Sequence, residues 1–556
     1  MTRHSAALLS LALGARLIAR QPEHAQHAMV VSGDDLATDA GVKILKNGGN
    51  AVDAAVAIGF ALAVTYPYAG NLGGGGFMLV RFADGRSTFI DFRERAPGKA
   101  SRGMYLDAKG NPTRDSVEGW RSSGVPGTVR GLELAQKKYG RAKWEAVLAP
   151  AIELASKGFP VTYEFADSLK AARNLPSDPE SKRIFLKNGA YYAIGDSFLQ
   201  PELSHTLERV AKLGSKDFYE GETAKMLADA MAKHGGLITL ADLKEYAAVE
   251  RVPLTGKYRN YDVITAPPPS SGGIGILQML GMVEGSGYEK TGAGSAASIH
   301  YVAETMRRFY ADRSEYLGDP DFFKVPTSGL LDPAYIRKRG ASIDPNHATP
   351  SVQVLPGHPA GSESSETTHY NVVDAEGNAV AVTYTLNGGF GNGITVPGAG
   401  FLLNNEMDDF SAKPGAANMF GLVQGKSNAI EPGKRPLSAM TPTILLRDGK
   451  LFMVVGAPGG GRIITSVLQV ILNVVDFGMN AQEAVDAPRF HHQWQPDRLT
   501  LERGFSPDTI ALLKARGHAI DESSGSVGSV VETIVNDKGW LQGAADGRRP
   551  GKAAGY

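Results

Sequence analysis

The segment 349–366 divides this chain and constrains its architecture more than any other feature. Its run PSVQVLPGHPAGSESSE is rich in proline, glycine and serine and has no hydrophobic period, which predicts an exposed, flexible linker. The next residues, TTHYNVVDAEGNAVAVTYTLN, alternate between apolar and polar positions on both sides of a turn at Asp374–Asn378, which predicts a pair of strands. The last third of the chain therefore starts with a sheet at the edge of a linker.

Length and composition are those of a large globular protein. The 556 residues exceed the roughly 250–300 at which one core stops growing, so we expect two domains or one large layered domain. Lysine plus arginine and aspartate plus glutamate both number 58, which gives no general reason to expect binding to nucleic acid or to a membrane surface. The chain has no cysteine, which excludes disulfides, thiolate metal sites and a cysteine nucleophile.

Residues 1–27 have the features of a secretory signal peptide. A short basic start precedes an apolar run from Ala6 to Ala15, which is too short to span a bilayer but suits the ~7–15-residue core of a signal peptide. Against this, Arg16 follows the run directly and no clean A-x-A cleavage site is present. We expect a periplasmic or secreted protein, with a cytoplasmic one as the alternative if this segment is not a signal.

Downstream of residue 28 the pattern is that of an α/β protein without a fixed internal repeat. MVVSG predicts a strand from Met29, Ala37–Leu45 has helical spacing that ends at a glycine-rich cap, and Asn50 suits the N-cap of a second helix through Val64. Further predicted elements are the hairpin FMLVRF/STFIDFRE, the helices Pro126–Lys138 and Ala297–Ala311, the strand GFLLNN, the hairpin TPTILLRDG/KLFMVVG and the helix Arg462–Asp476.

Several common catalytic signatures are absent. Phe420 stands where a P-loop ending in GKS would need glycine, and the glycine run 73–76 precedes a strand rather than the helix of a dinucleotide site. There is no G-x-S-x-G and no H-E-x-x-H, and the neighbouring His491 and His492 do not converge on one metal if they lie on a helix. None of these motifs therefore predicts a cofactor or a metal site.

Thr367 is the remaining candidate for chemistry. A threonine that begins a strand after a flexible linker is placed as an N-terminal nucleophile requires, because its hydroxyl can first attack the carbonyl of Glu366. The freed α-amine then serves as general base for the same hydroxyl, and its usual pKa of ~7.7–8.0 suits that task near neutral pH. Position alone leaves open the simpler interpretation, an ordinary strand threonine.

The segment TTHYNVVDAEGNAVAVTYTLN closely resembles the start of the small subunit of γ-glutamyltranspeptidases (glutathione hydrolases), which belong to the Ntn-hydrolase superfamily. The resemblance covers the chain from about Met29. It extends, in the family's order, through NLGGGGFMLVR, DFRERAP, LLNNEMDDFSAKPG, KRPLSAMTPTI, GAPGGGRIIT, APRFHHQWQPD and the terminal AGY.

This resemblance implies an α/β fold of the α+β type, a four-layer αββα sandwich formed by two chains cut from one precursor. The large subunit would span residues 28–366, with the linker at its end, and the small catalytic subunit residues 367–556. The implied reaction is transfer of a γ-glutamyl group from glutathione or a related amide to water, an amino acid or a peptide, without cofactor or metal.

The resemblance also assigns roles to single residues. Thr367 would be the nucleophile, released by cleavage after Glu366, and Thr385 would support it by hydrogen bonding. Arg93 would hold the donor α-carboxylate, for which a planar guanidinium is well suited, and Ser438 would add a contact to that carboxylate.

Two further groups of residues complete the implied site. Asn387, Glu406 and Asp409 would surround the donor α-ammonium, a cation that needs hydrogen-bonding and charged partners once it is desolvated. Gly459 and Gly460 would supply the backbone N–H groups of an oxyanion hole, where the absence of a Cβ allows close approach.

Three positions depart from the family's pattern. Ser438 is followed by Ala439 where the family often has a second serine, and Glu406 stands where some bacterial members have glutamine. In the segment 414–425, which resembles a lid loop, Phe420 replaces a tyrosine. These changes affect the expected affinity and acceptor preference more than the reaction itself.

Two alternatives remain at this point. A cephalosporin or glutaryl acylase of the same fold would act on a donor without an α-ammonium, and it should lack part of the set Asn387, Glu406 and Asp409. An uncleaved, non-catalytic binding homologue is the alternative of another class, and it has no reason to retain Thr367 and Thr385.

Overall fold

The computed structural model describes residues 20–357, 368–522 and 525–556 of the chain. Two seven-stranded sheets dominate this part, and neighbouring strands are antiparallel in both. The predicted nucleophile Thr367, its partner Glu366 and the first 19 residues lie outside the described residues.

Both sheets combine segments from the two sides of the linker. In spatial order, the strands of the first sheet are Glu23–Ala25, Trp540–Ala545, Glu532–Asp537, Lys450–Gly456, Thr443–Arg447, Tyr261–Thr265 and Leu254–Tyr258. Those of the second sheet are Lys552–Gly555, Met29–Ser32, Thr368–Val373, Ala379–Thr385, Gly75–Arg81, Ser87–Asp91 and Val249–Arg251. The parts of the chain before and after the linker therefore share one architecture.

Helices cover the two sheets. The α-helices among the described residues are Asp35–Lys46, Ala51–Thr65, Thr128–Tyr139, Trp144–Lys157, Tyr163–Ala171, Pro179–Phe185, Pro201–Leu213, Ser215–Glu220, Glu222–His234, Leu240–Glu245, Gly272–Val283, Ala296–Tyr316, Thr327–Leu330, Pro333–Ala341, Arg462–Val475, Ala481–Asp486 and Pro507–Ala515. Short strands form three minor sheets: Phe490–His491 with Leu499–Leu501 and Ile520–Asp521, Phe159–Pro160 with Ser197–Phe198, and Leu186–Lys187 with Ala190–Tyr191.

Three hydrophobic clusters lie between these elements. One fills the space between the sheets, where Phe77 and Leu79 meet Val454 and Ile534. A second joins the outer face of one sheet to the helix Ala51–Thr65, in which every residue is buried. A third joins the other sheet to helices that include Arg462–Val475. Because strand residues alternate between faces, a central strand contributes to two clusters: in Ala379–Thr385, Ala379 and Ala381 belong to the inner cluster and Val380 and Val382 to an outer one.

Most elements predicted from the sequence are confirmed. The helix Ala51–Thr65 begins at Asn50, whose side chain accepts from the N–H groups of Val52 and Asp53 in a capping box. Both predicted hairpins around residues 77–94 and 441–456 are present as antiparallel pairs. The strand predicted for GFLLNN is wrong. Leu402 and Leu403 make only isolated bridges, because Gly398 and Gly400 have φ of 75° and hold this buried run in tight turns.

Both ends of the predicted large subunit make ordered contacts with the rest of the chain. Glu23–Ala25, within the range 1–27, pairs with Trp540–Ala545. In the predicted linker, Ser351 is buried, its N–H donates to Asp497 Oδ2 at 2.7 Å, and residues 358–366 lie outside the described part. No helix in the described ranges is long and apolar enough to span a membrane. The signal-peptide assignment and the subunit boundaries stay predictions.

Candidate active site

The strands Thr368–Val373 and Ala379–Thr385 lie side by side near the middle of the second sheet and define one end of the site. Thr385 is the last residue of its strand, and its hydroxyl accepts a 2.7 Å hydrogen bond from the backbone N–H of Asn387. Thr367, which precedes the first of these strands in the sequence, is not among the described residues.

The glycine run 73–76 is explained by the close approach of other groups. A Cβ on Gly74 would lie 1.8 Å from the carbonyl oxygen of Thr385, and a Cβ on Gly75 would lie 2.7 Å from Oε2 of Glu94. Glycine is therefore required here by packing against the site, and not by phosphate binding.

Arg93 is fully buried and is held by both backbone and carboxylate groups. Its Nε donates to the carbonyl of Pro436 at 3.1 Å, and its Nη2 donates to the carbonyl of Leu437 at 3.2 Å and to Oδ2 of Asp409 at 2.5 Å. Its Nη1 forms an ion pair with Glu406. Two backbone carbonyls thus hold the guanidinium, and the acidic side chains of Glu406 and Asp409 contact its two outer nitrogens.

Three carboxyl groups surround this one guanidinium. Glu406 and Asp409 pair with Arg93 directly, and Oε2 of Glu94 lies 3.6 Å from Nη1. None of the three side chains has exposed surface. Burial raises the pKa of Glu94 to about 7 and raises that of Glu406 well above its ordinary value, although Arg93 opposes both shifts. The cluster therefore carries more carboxyl groups than its single cation can neutralise.

Asn387 lies beside this cluster in a left-handed backbone conformation, with φ of 74°. Its Nδ2 donates to the carbonyl of Asn405 at 2.9 Å, next to Glu406, and lies 3.8 Å from Sδ of Met419. Its Oδ1 is buried and has no hydrogen-bond partner. An unsatisfied buried acceptor is costly, so this oxygen is available to an N–H of a ligand.

Ser438 follows the two carbonyl groups that hold Arg93. Its hydroxyl accepts a 3.2 Å hydrogen bond from the N–H of Met440, and its own carbonyl accepts from the N–H of Ser271 at 2.7 Å. Ala439 is fully buried among apolar side chains. Position 439 thus contributes packing where a serine would offer a hydroxyl.

Gly459 and Gly460 form the turn before the helix Arg462–Val475, with φ of 129° and 69°. A Cβ on Gly459 would lie 2.8 Å from Cα of Ser529, so the turn cannot accept a larger residue without movement. The helix N-terminus adds a partial positive charge at this point. Backbone N–H groups in such a turn can stabilise a developing oxyanion.

The segment 414–425 lies over the carboxylate cluster. The N–H of Met419 donates to Oδ2 of Asp408 at 2.9 Å, and Nδ2 of Asn418 lies 3.3 Å from Oδ1 of Asp409. Leu422 is buried, and its side chain packs against Gly461: a Cβ on Gly461 would lie 2.9 Å from Cδ2 of Leu422. The lid-like segment is therefore fastened at the acidic cluster and also reaches the glycine turn.

Comparison with known protein families matches residues 37–556 to the family described as Gamma-glutamyltranspeptidase. The chain belongs to this family. It is 53% identical to the glutathione hydrolase proenzyme of Escherichia coli (strain K12), over 95% of this chain and 91% of that protein. Among solved structures, it matches a γ-glutamyltranspeptidase of Helicobacter pylori with 45% identity and a TM-score of 0.58, over 59% of this chain and 94% of that one. It also matches a cephalosporin acylase of Bacillus halodurans with 30% identity and a TM-score of 0.85, over 97% of both chains.

Membership of the γ-glutamyltranspeptidase family confirms the prediction of an enzyme of this class and the mixed α/β fold with two large sheets. The structure brings Arg93, Glu406 and Asp409 into direct contact. Asn387 joins this group through Asn405. The individual roles of these residues stay predictions.

Sequence reasoning missed Glu94 and Asp408. Glu94 directly follows Arg93 in DFRERAP, but it comes after the strand Ser87–Asp91 ends, where alternation no longer places neighbours on opposite faces. The resemblance gave a role to Asp409 and none to its neighbour Asp408, yet Asp408 is only 8% exposed and accepts from the Ser116 hydroxyl at 2.7 Å. Only the tertiary structure shows that both side chains are buried at the site.

The histidine pair has a structural role. Nδ1 of His491 lies 2.9 Å from the Thr465 hydroxyl, and Nε2 of His492 lies 3.3 Å from Asp497. Across the described residues, no group of three or more His, Cys, Asp or Glu side chains is arranged to hold a metal ion.

Proposed function

We propose that this chain transfers γ-glutamyl groups from glutathione and related γ-glutamyl amides to water, amino acids or peptides. The precursor would cut itself between Glu366 and Thr367, and the subunits 28–366 and 367–556 would stay together as the four-layer αββα sandwich of Ntn hydrolases. The buried cluster of Arg93, Glu406 and Asp409 carries this proposal, because it places a cation for a carboxylate next to two acids for an ammonium, the two charges of an α-amino acid head group.

Recognition of the donor would exchange partners within this cluster. A donor α-carboxylate would take the outer nitrogens of Arg93, a geometry that suits a guanidinium. The donor α-ammonium would be left to Glu406, Asp409 and the unsatisfied Oδ1 of Asn387. The desolvated ion pairs of the empty site would thereby be replaced by ion pairs with the ligand. The Ser438 hydroxyl would add a contact to the carboxylate.

The strand register supports Thr367 as the nucleophile. Thr368 pairs with Tyr384 and His369 with Thr383, so the strand that begins directly after Thr367 in the sequence lies beside the strand that ends at Thr385. Side chains two residues apart share a face of a strand, and His369 is on the inner face with Thr383. The Thr385 hydroxyl would support the nucleophile from this neighbouring strand.

The chemical steps need no group beyond this chain. The Thr367 α-amine would take the proton of the Thr367 hydroxyl as this hydroxyl attacks the γ-carbonyl carbon of the donor. The N–H groups of Gly459 and Gly460 would stabilise the oxyanion that forms. When the tetrahedral intermediate collapses, the amide C–N bond would break, the protonated α-amine would give its proton to the leaving amine, and a γ-glutamyl ester would remain on Thr367. Water or an acceptor amine would then resolve this ester by the same route.

A cephalosporin or glutaryl acylase is the second candidate, because a solved cephalosporin acylase matches 97% of the chain. A glutaryl group has no α-ammonium, so it gives no partner to Asp409, Glu406 or the free oxygen of Asn387. Leaving these buried charges unpaired is costly, which favours the γ-glutamyl donor.

Turnover of two matched chromogenic amides tests whether the protein prefers a γ-glutamyl or a glutaryl donor. The purified protein should hydrolyse a γ-glutamyl anilide with a kcat/KM at least ~100-fold above that for the glutaryl anilide, since loss of a charge-assisted interaction costs about 1.5–3 kcal/mol for each bond lost. Equal turnover, or a preference for the glutaryl amide, would support the acylase. Protein that stays uncut and hydrolyses neither would support the binding homologue.

A further inference from the structure

Ser529 is a buried serine for which the proposed reaction gives no role. Its hydroxyl donates a 2.7 Å hydrogen bond to the carbonyl of Pro458, the residue that precedes the glycine turn. The two segments are in close contact, because a Cβ on Gly459 would lie 2.8 Å from both Cα and Cβ of Ser529. A side chain 71 positions away along the chain therefore holds the peptide that joins Pro458 to Gly459.

The geometry of this peptide links the serine to an N–H group of the turn. The peptide is planar and trans, so its C=O and N–H groups point in opposite directions. A hydroxyl that fixes the Pro458 carbonyl therefore also fixes the N–H of Gly459, on the side away from Ser529. Across the described ranges, the N–H groups of Gly459 and Gly460 donate to no other group. Both are thus available to a developing oxyanion.

The two N–H groups of the turn are held in different ways. The peptide that carries the Gly460 N–H is held by the backbone, because the carbonyl of Gly459 accepts from the N–H of Arg462 at 3.3 Å, where the helix begins. The peptide that carries the Gly459 N–H has no such backbone bond. In the described part of the chain, the Pro458 carbonyl accepts from the Ser529 hydroxyl alone. The orientation of this N–H therefore depends on one side chain.

Without that hydroxyl, little would oppose a reversal of the Pro458–Gly459 peptide. Proline fixes its own φ but not its ψ, and glycine populates positive and negative φ about equally. Gly459 has φ of 129°, a value that favours glycine. A half-turn of the peptide would exchange the positions of the N–H and the carbonyl oxygen. An oxyanion would then meet an acceptor where it needs a donor.

Ser529 is itself held by a buried ion pair. Nη2 of Arg489 donates to the carbonyl of Ser529 at 2.7 Å and to Oδ2 of Asp546 at 2.6 Å. The same carboxylate oxygen accepts from the N–H of Val531 at 2.9 Å. The backbone on which the serine hydroxyl stands is thus tied on both sides, as a group that orients another group requires.

We propose that Ser529 is a positioning residue of the oxyanion hole, because its hydroxyl keeps the N–H of Gly459 turned toward the oxyanion that forms on the donor γ-carbonyl. Ser529 would act only through the Pro458–Gly459 peptide. The inference rests on the proposed function, in which the glycine turn supplies the oxyanion hole. Removal of the hydroxyl should therefore weaken binding of the tetrahedral state and leave binding of the donor head group unchanged.

Replacement of Ser529 by alanine tests the inference with two inhibitors that share one head group. In Ser529→Ala, kcat for a γ-glutamyl anilide should fall at least ~10-fold, toward the roughly 10²–10³-fold typical of losing one oxyanion donor, with little change in KM. One inhibitor is the analogue of L-glutamate with a boronic acid in place of the γ-carboxyl group, whose boron becomes tetrahedral when the Thr367 hydroxyl adds to it. Its inhibition should weaken by a similar factor. Inhibition by L-glutamate itself should stay as in the parent.

Thr533→Val is the matched control. It removes an equally buried hydroxyl that also donates to a backbone carbonyl, that of Val454 at 3.0 Å. This variant should keep the parental kcat and both inhibition constants. All rates are referred to the amount of cleaved protein, so that slower maturation does not count as slower turnover.

The outcomes separate this inference from the proposed function. Parental kcat and parental inhibition by the boronic acid in Ser529→Ala would overturn the role of Ser529 and leave the proposed function intact. Equal weakening of both inhibitors would also overturn it, since a merely structural role predicts that result. A parent protein that neither hydrolyses the anilide nor binds L-glutamate would overturn both.

A second variant decides the question if Ser529→Ala yields no cleaved protein. Ser529→Cys keeps a side chain of similar shape, but its thiol is only a weak hydrogen-bond donor. Inhibition of this variant by the boronic acid should weaken while inhibition by L-glutamate does not change. Parental inhibition by both compounds would contradict the inference.

Discussion

Nη2 of Arg93 lies 2.5 Å from Oδ2 of Asp409, and neither side chain exposes any surface. The two residues are 316 positions apart and lie on opposite sides of the predicted cleavage point. A buried ion pair of this kind adds little net stability compared with apolar packing, but it leaves a high cost if one partner is removed. In the proposed function, this pair would supply a cation and an anion to a zwitterionic ligand.

Replacing Asp409 by asparagine should weaken donor recognition selectively. Asp409→Asn keeps the shape but removes the charge, so kcat/KM for a γ-glutamyl anilide should fall about 10- to 100-fold, the equivalent of roughly 1.5–3 kcal/mol. Turnover of a glutaryl anilide should hold steady or improve, and self-cleavage should persist. Asp448→Asn, in an exposed hairpin turn with φ of 53°, is the control and should change neither. Equal loss of both donors would exclude Asp409 as an ammonium ligand.

The lid-like segment 414–425 should depend on Asp408. Asp408→Ala removes the acceptor of the Met419 N–H, so we expect faster proteolysis within this segment and a several-fold rise in KM for the donor with a smaller change in kcat. Ser116→Ala, which removes only the contact to the other carboxylate oxygen, is the matched control and should have a weaker effect. Identical proteolysis of the parent and Asp408→Ala would show that other contacts hold the segment.

The glycine turn should not accept a side chain. In Gly459→Ala the new Cβ would meet Cα of Ser529 at 2.8 Å, and the displaced N–H groups should lower kcat by about 10²–10³-fold. Gly478→Ala tests whether strain alone explains such a loss, because Gly478 also has a positive φ, 65°, but open space around it. That variant should lose about 1 kcal/mol of stability and retain its kcat. A normal kcat for Gly459→Ala would remove this turn from the oxyanion hole.

His369 should make the protein sensitive to acid. Burial lowers the pKa of His369 to about 3, so the folded state keeps it neutral while the unfolded chain takes up a proton below about pH 6.5. Its contribution to stability is complete above that pH and is lost as the pH falls, by about 1.4 kcal/mol per pH unit. In His369→Gln, the fall of melting temperature between about pH 7.5 and 5 should be smaller than in the parent. His347→Gln changes a histidine that is 75% exposed and should leave that fall unchanged. An equal fall in His369→Gln and the parent would contradict this assignment.

Local patterns were sufficient for most elements of the fold. The cap at Asn50 and the alternation in Ala379–Thr385 are properties of neighbouring residues, which is why they could be predicted. Pairing of Met29–Ser32 with Thr368–Val373 could not be predicted, because strands more than 300 residues apart leave no local signal for their register. The run GFLLNN failed for a related reason: its apolar residues are buried without joining a sheet, and Phe401 packs against Phe218 of the helix Ser215–Glu220.

The site was predictable only where a motif marked it. The resemblance pointed to Arg93, Glu406 and Asp409, but nothing in their separate motifs predicted that they would contact one another in the empty site. Glu94 and Asp408 were hidden for the same reason, since a charged residue in a polar stretch is usually solvated. Their burial depends on how the loops that follow strands pack together.

The composition of the purified protein tests the central claim most directly. Mass spectrometry with N-terminal sequencing should find two chains, one ending at Glu366 and one, residues 367–556, that begins with Thr367. Thr367→Ala should remain a single chain and hydrolyse no γ-glutamyl anilide, because both cleavage and turnover need the same hydroxyl. A single uncut chain that turns over the donor, or a Thr367→Ala variant that still cleaves at this position, would contradict the assignment of Thr367 as the nucleophile.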